Sequence, residues 1–218
     1  MRISTVIKSL LAVAAATPLL CQAESTFNGT GASPSTASAH VDFQISVPKF
    51  IFLNVGKGTG AIDAAGKFTT PPGSLNTIDG ITWTLLAGNV GTGVLAGTGG
   101  DLGGGVETAI LVANNGTVTL TSTTTGALSD AAGPGADTIS YAKITTNATT
   151  NHTATVLAAP ALADGATTTL TITPAAGKVV AQDAKWAYTY ANDFVPAAGT
   201  YGGVNTNNSR VTYTASVP

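Results

Sequence analysis

The stretch "HVDFQISVPKFIFLNVG", residues 40–56, divides at a proline. Before Pro48, the residues Val41, Phe43, Ile45 and Val47 alternate with Asp42, Gln44 and Ser46. A period of two predicts a strand with one apolar face. After Pro48 the alternation stops. Phe50-Ile51-Phe52-Leu53 is apolar on both sides, so residues 49–55 read as a second strand, buried on both faces. Proline has no N–H to give to a ladder, which puts Pro48 at a strand end, an edge or a bend. The stretch is thus two strands with different surroundings, jointed at Pro48.

Toward the N-terminus, residues 24–39, "ESTFNGTGASPSTASA", are small and polar and read as a flexible leader. Residues 1–23 combine Arg2 and Lys8, the apolar run "LLAVAAATPLL" and the small-residue pattern "CQA". That combination predicts a secretory signal peptide cut after Ala23. The cut removes Cys21, the only cysteine of the 218 residues, so the exported chain has no disulfide and no thiol chemistry. It also leaves seven basic against eleven acidic residues, a net charge near −4. A basic footprint for nucleic acid is missing, and no second apolar run is long enough to insert in a bilayer. Only 9% of the chain is charged. A neutral, hydroxyl-rich surface of this kind favours association with copies of itself.

Toward the C-terminus the β pattern recurs. "GITWTLLAG" (80–88) reads as a strand, and the glycine-rich 88–105 as a mobile loop in which Val94 and Leu95 touch the core. "VETAILVANNGTVTLTSTT" (106–124) reads as two strands about Asn115-Gly116, the pair favoured in tight hairpins. Strands are expected at 138–146, 153–159, 167–173, 178–182, 184–191 and 209–217, with Val211, Tyr213, Ala215 and Val217 on one face of the last. Many short strands between turn signals, with no segment of helical period, predict an all-β fold: a single antiparallel Greek-key sandwich over residues 40–218.

Residues for catalysis are scarce. His40 and His152 lie far apart without a patterned acid, and no serine stands in G-x-S-x-G. The glycines of 88–105 lack the spacing and the following helix of a phosphate loop. Asp101 with Glu107, or Asp130 with Asp137, could meet at a calcium ion, but neither pair has the loop pattern of a calcium site. Trp83, Trp186, Tyr188, Tyr190, Tyr201 and Tyr213 could form a sugar platform, although aromatics on strands more often pack cores. The chain is therefore read as a non-enzyme that needs no cofactor.

Two segments carry a resemblance. "HVDFQISVPKFIFL" resembles the start of the cysteine-free, alpha-type chaperone–usher major pilins of Gram-negative bacteria, and "PAAGTYGG…RVTYTAS" resembles their closing turn and last strand. The resemblance implies an Ig-like sandwich left incomplete, with a groove filled by the N-terminal strand of the next subunit. It makes residues 40–47 the donor strand, with Val41, Phe43, Ile45 and Val47 as the groove-filling side chains and Pro48 as the pivot. Burying those four side chains would contribute roughly 6–10 kcal/mol before entropy. The expected product is an extracellular homopolymer, a pilus or biofilm-matrix filament, with a periplasmic chaperone and an outer-membrane usher as further partners. The alternative is a monomeric secreted adhesin or carbohydrate-binding module with residues 40–47 folded into their own sheet and Trp83 or Trp186 open to solvent.

Overall fold

In the computed structural model every ladder between the principal strands is antiparallel. Residues 25–29, 31, 36–131, 133 and 135–218 are described, so the signal peptide expected over 1–23 and part of the leader lie outside them. The chain divides into two units, Met1–Val47 and Pro48–Pro218. In the first, residues 36–47 form no strand.

The second unit is all-β. Its principal strands are β1 (Ile51–Val55), β2 (Val106–Ala113), β3 (Val118–Thr123), β4 (Ile144–Thr149), β5 (Thr167–Ile172), β6 (Val180–Tyr190) and β7 (Thr212–Ser216). One sheet has the order β1-β2-β6-β4, and the other β5-β3-β7. Period-two apolar residues drive the pairing of layers. Ala109 and Leu111 of β2, Val118 and Leu120 of β3, and Trp186 and Tyr188 of β6 are buried in one cluster. The opposite face of β2 carries Ile110 and Val112, which join Ile62 in a smaller cluster with Phe52, Phe68 and Ala181 packed around it. The short ladder of 61–62 with 68–70 supplies Ile62 and Phe68. Two-sided cover explains why β2 is apolar on both faces.

Several expectations change. The strands flanking Asn115-Gly116 exist, but they do not pair with each other. Val106–Ala113 pairs with β1 and β6, and Val118–Thr123 with β5 and β7. The turn carries the chain from one sheet to the other instead of closing a hairpin. Gly116, at φ 94°, supplies the left-handed residue that either turn would use. What decides is burial: β2 needs cover on two faces, and it has the main core on one and Ile62, Phe52 and Phe68 on the other.

The strand after Pro48 also differs. Lying at a sheet edge, β1 is half-buried, with Leu53 and Val55 against the main core and Phe52 against the smaller cluster. The segments 178–182 and 184–191 merge into the eleven-residue β6. Residues 80–88 make only a two-residue ladder, Ile81–Thr82 with Thr98–Gly99. Residues 153–159 form no strand, apart from a bridge between Val156 and Asp183. Val94 is exposed rather than touching the core, while Leu95 pairs with Tyr190. The glycine-rich loop is a close crossing: a Cβ on Gly105 would stand 2.7 Å from the Gly97 backbone.

The strand registers define two ends of this unit. Ile51, Ala113 and Val180 share one end with Pro48, Asn115, Lys178 and Pro218, here called proximal. Val55, Val106, Tyr190, Ile144 and Thr123 lie toward the other, distal end.

Candidate subunit-interaction site

The four alternating side chains before Pro48 are open to solvent. Val41 is 67% exposed, Phe43 90%, Ile45 88% and Val47 72%. Apolar surface of this extent on a segment that forms no strand is an association hazard. Pro48 is held where the next unit begins. Its carbonyl accepts a hydrogen bond from Asn114 Nδ2 at 2.7 Å, and the Phe50 N–H donates to Asn114 Oδ1 at 2.9 Å. One asparagine side chain thus extends the β1 ladder across the proline that cannot extend it.

Both sheets end in free edges on the same side. Beyond β1 in its sheet, and beyond β7 in the other, no strand pairs among the described residues. Along β7, Val211, Tyr213, Ala215 and Val217 face the core yet stay half-buried, as their alternation predicts. Leu53 and Val55 of β1 pack on the same core from the other layer. Beside β1 runs a cleft of about 490 Å³ lined by Ile51, Leu53, Val55 and the loop residues Ser74, Leu75 and Asn76. Asn54, Lys57 and Thr77 also line the cleft, which is polar over much of its wall and does not reach β7. β1 and β7 themselves offer two open strand edges over one core, a slot that accepts a strand.

Polar residues near the slot are arranged for structure. Tyr188 and Tyr213 share a hydrogen bond between hydroxyls at 2.9 Å, and Tyr213 stacks obliquely on Trp186 at 5.2 Å. Burial pushes the Tyr213 hydroxyl up to about 12. Trp186 is fully buried and its Nε1 donates to the Leu157 carbonyl at 2.7 Å. Tyr190 is buried too, while Trp83 is half-buried with its Nε1 out of water. The fully buried Trp186 therefore offers no ring face for a sugar to stack on.

Two carboxylates that sequence reading passed over or only paired loosely are buried. Asp183, in β6, is fully buried; its Oδ1 accepts from the Thr153 N–H (2.7 Å), the Thr153 hydroxyl (2.8 Å) and the His152 N–H (3.1 Å), and its Oδ2 accepts from Asn151 Nδ2 (2.9 Å). His152 Nδ1 lies 2.7 Å from the same Oδ2. Burial alone would raise the Asp183 carboxyl, but the bonds from Thr153 and His152 outweigh it and hold the group below the usual carboxylate range. A lone acid inside "VVAQDAKWAYTY" is the signal that marks it. Glu107 does meet Asp101, whose N–H donates to Glu107 Oε2 at 3.2 Å. Burial pushes Glu107 up to about 8 against that bond, and the Asp101 and Asp79 carboxylates add to the rise. Asp130 meets Asp137 through the backbone, N–H to carbonyl at 3.1 Å. Among the described residues, no group of three or more His, Cys, Asp or Glu side chains is placed to hold a metal ion.

No described helix is long and apolar enough to cross a membrane. Comparison of the chain with known protein families, with curated proteins and with solved structures gives no match.

Proposed function

We propose that the protein is a structural subunit of an extracellular fibre and polymerises by donating residues 40–47 to the slot of the next copy. One observation carries the reading: four solvent-exposed apolar side chains at period two stand in the same chain as a slot with four half-buried ones at period two. Val41 to Val47 and Val211 to Val217 each cover seven residues, about 23 Å of strand. Inserted beside β7, Val41, Phe43, Ile45 and Val47 lose the surface that makes them a hazard.

The sheet orders support the same reading. In an Ig constant domain one sheet runs A-B-E-D and the other C-F-G. The order β1-β2-β6-β4 follows the first if β6 is strand E, and β7 beside β3 follows F beside C. The G position, on the far side of β7, is the one that residues 40–47 of another copy would take. An incomplete Ig-like Greek-key sandwich is thus our reading of the fold, with β5 as an added edge strand. Export, and assembly through a periplasmic chaperone and an outer-membrane usher, belong to the same proposal.

The test is electron microscopy of cells and of purified exported protein carrying Phe43→Asp together with Ile45→Asp. Wild type is expected to give filaments, and the variant monomers with an unchanged melting temperature. Filaments of normal yield from the variant would show that residues 40–47 are not the donor.

A further inference from the structure

Resting on that reading, we infer that the distal end of each subunit is a stacking surface for the proximal end of the next copy. No linker stands between the donor strand and the second unit. Val47 is bonded directly to Pro48, and Pro48 is fixed at the proximal end by Asn114. A donor strand lying along the whole of β7 therefore brings its own subunit's proximal end against one end of the acceptor. If Val47 reached the acceptor's proximal end, two proximal ends would face each other and both strands could exchange. That is a two-fold closed pair. If Val47 reaches the distal end, the donor runs antiparallel to β7 and the contact is head-to-tail, which leaves the chain of subunits open. A fibre requires the second arrangement.

The distal end has the surface such a contact needs. Loops 86–94 and 192–196 meet there. Buried Asn192 joins them: its Oδ1 accepts from the Gly91 N–H at 2.9 Å, and its Nδ2 donates to the Asn89 carbonyl at 2.7 Å. Held in this way, the two loops present Leu86, Val94 and Val195, which are 67%, 73% and 76% exposed. Three large apolar side chains thus stand exposed on two loops that one buried asparagine ties together, a surface suited to association. The proximal end answers with Val179, 55% exposed, and with exposed Lys49 and Lys178, while the distal end carries exposed Asp137 and an Asp193 already paired with Lys143 at 2.8 Å. Apolar meets apolar, with Asp137 a carboxylate for the lysines to face.

The experiment uses the full exported chain with Leu86→Glu and Val195→Glu together, and Val94→Glu as an independent second variant. Exposed positions should leave the melting temperature unchanged; if one variant unfolds early, the other carries the test. Sedimentation gives the critical concentration for polymer, and fluorescence anisotropy gives capture of a synthetic peptide of residues 38–48 by depolymerised subunits. Peptide capture should stay unchanged, while the critical concentration rises at least about tenfold, the effect of losing one buried apolar contact. An unchanged critical concentration with normal capture overturns the stacking surface and leaves strand donation standing. Loss of capture in the variants overturns it as well, because the patch would then act through the slot. Closed dimers as the wild-type end product would overturn the head-to-tail arrangement. Failure of wild type to capture the peptide would instead overturn strand donation itself.

Discussion

Replacing Asp183 by asparagine probes the most heavily bonded side chain of the second unit. The carboxylate is fully buried and accepts hydrogen bonds from Thr153, His152 and Asn151, which fixes residues 151–153 beside the first half of β6. The substituted amide would keep one acceptor oxygen but turn an NH2 group toward donors. Charged hydrogen bonds contribute about 1.5–3 kcal/mol each, yet bonds sharing one group do not add. Breaking a buried charged cluster typically costs about 3–5 kcal/mol, and the retained oxygen puts the expected loss near 3 kcal/mol. For a domain of this size that lowers Tm by roughly 6–12 °C. The pH dependence has a definite sign. The folded carboxyl sits below its ordinary value, so its stabilisation is complete above the unfolded value near 3.9 and fades as pH falls through the lower folded one. Thermal melts of wild type and Asp183→Asn should therefore differ by a constant amount from about pH 5 to 8 and converge below about pH 4. A loss under about 1 kcal/mol at pH 7, or a difference that grows in acid, would refute the role assigned to Asp183.

Glu107 titrates in the opposite sense. Its folded value near 8 means that the native state keeps a proton the unfolded chain gives up above 4.5, so stability falls as pH rises between those values. Glu107→Gln should have little effect at pH 5 and should stabilise by about 2–4 kcal/mol at pH 9, below the ceiling of about 5 that the full shift implies; equal melts at pH 9 would count against a buried, protonated Glu107. Asn114→Ala removes both bonds that hold Pro48 and Phe50. Those bonds are at the surface, so the expected cost is about 1 kcal/mol, seen as a Tm lower by about 2–4 °C and as faster amide exchange at Phe50.

Local pattern was the legible part of this sequence. The alternation in 167–172 and 212–216 produced strands whose faces lie where the pattern puts them, because each covers one side of a core and leaves the other wet. Pairing was less legible. Asn115-Gly116 makes a tight turn whether the flanking strands pair or part, and nothing within 106–124 states that Ile110 and Val112 have Phe52 and Phe68 to cover them. Long-range cover also decided β1. Its run of apolar residues implied burial on two faces, and both faces do pack, but an edge strand has no second neighbour to shut its open side from water, so it stays half-buried. The slot was half legible: Val211 to Val217 showed in the pattern, while the meeting of β1 and β7 edges depends on strand order. Asp183 was visible as an acid among apolar residues, but its partners lie some thirty positions earlier in a segment without any period.

The attachment of Pro48 sets how a fibre of such subunits would carry tension. Load would enter each subunit at Pro48, pull along β1, cross the apolar core between the layers, and leave through the strand seated beside β7. β1 is held to β2 by five residue pairs in unbroken antiparallel register, Ile51 with Ala113 through Val55 with Ala109. Ladder hydrogen bonds lie perpendicular to the strands, so a pull along β1 shears all of them together and cannot open them one after another. Asn114 adds its two bonds at the point of loading. Such a joint is stiff until it fails, and its strength comes from geometry in a chain whose single cysteine can form no internal disulfide to supply it.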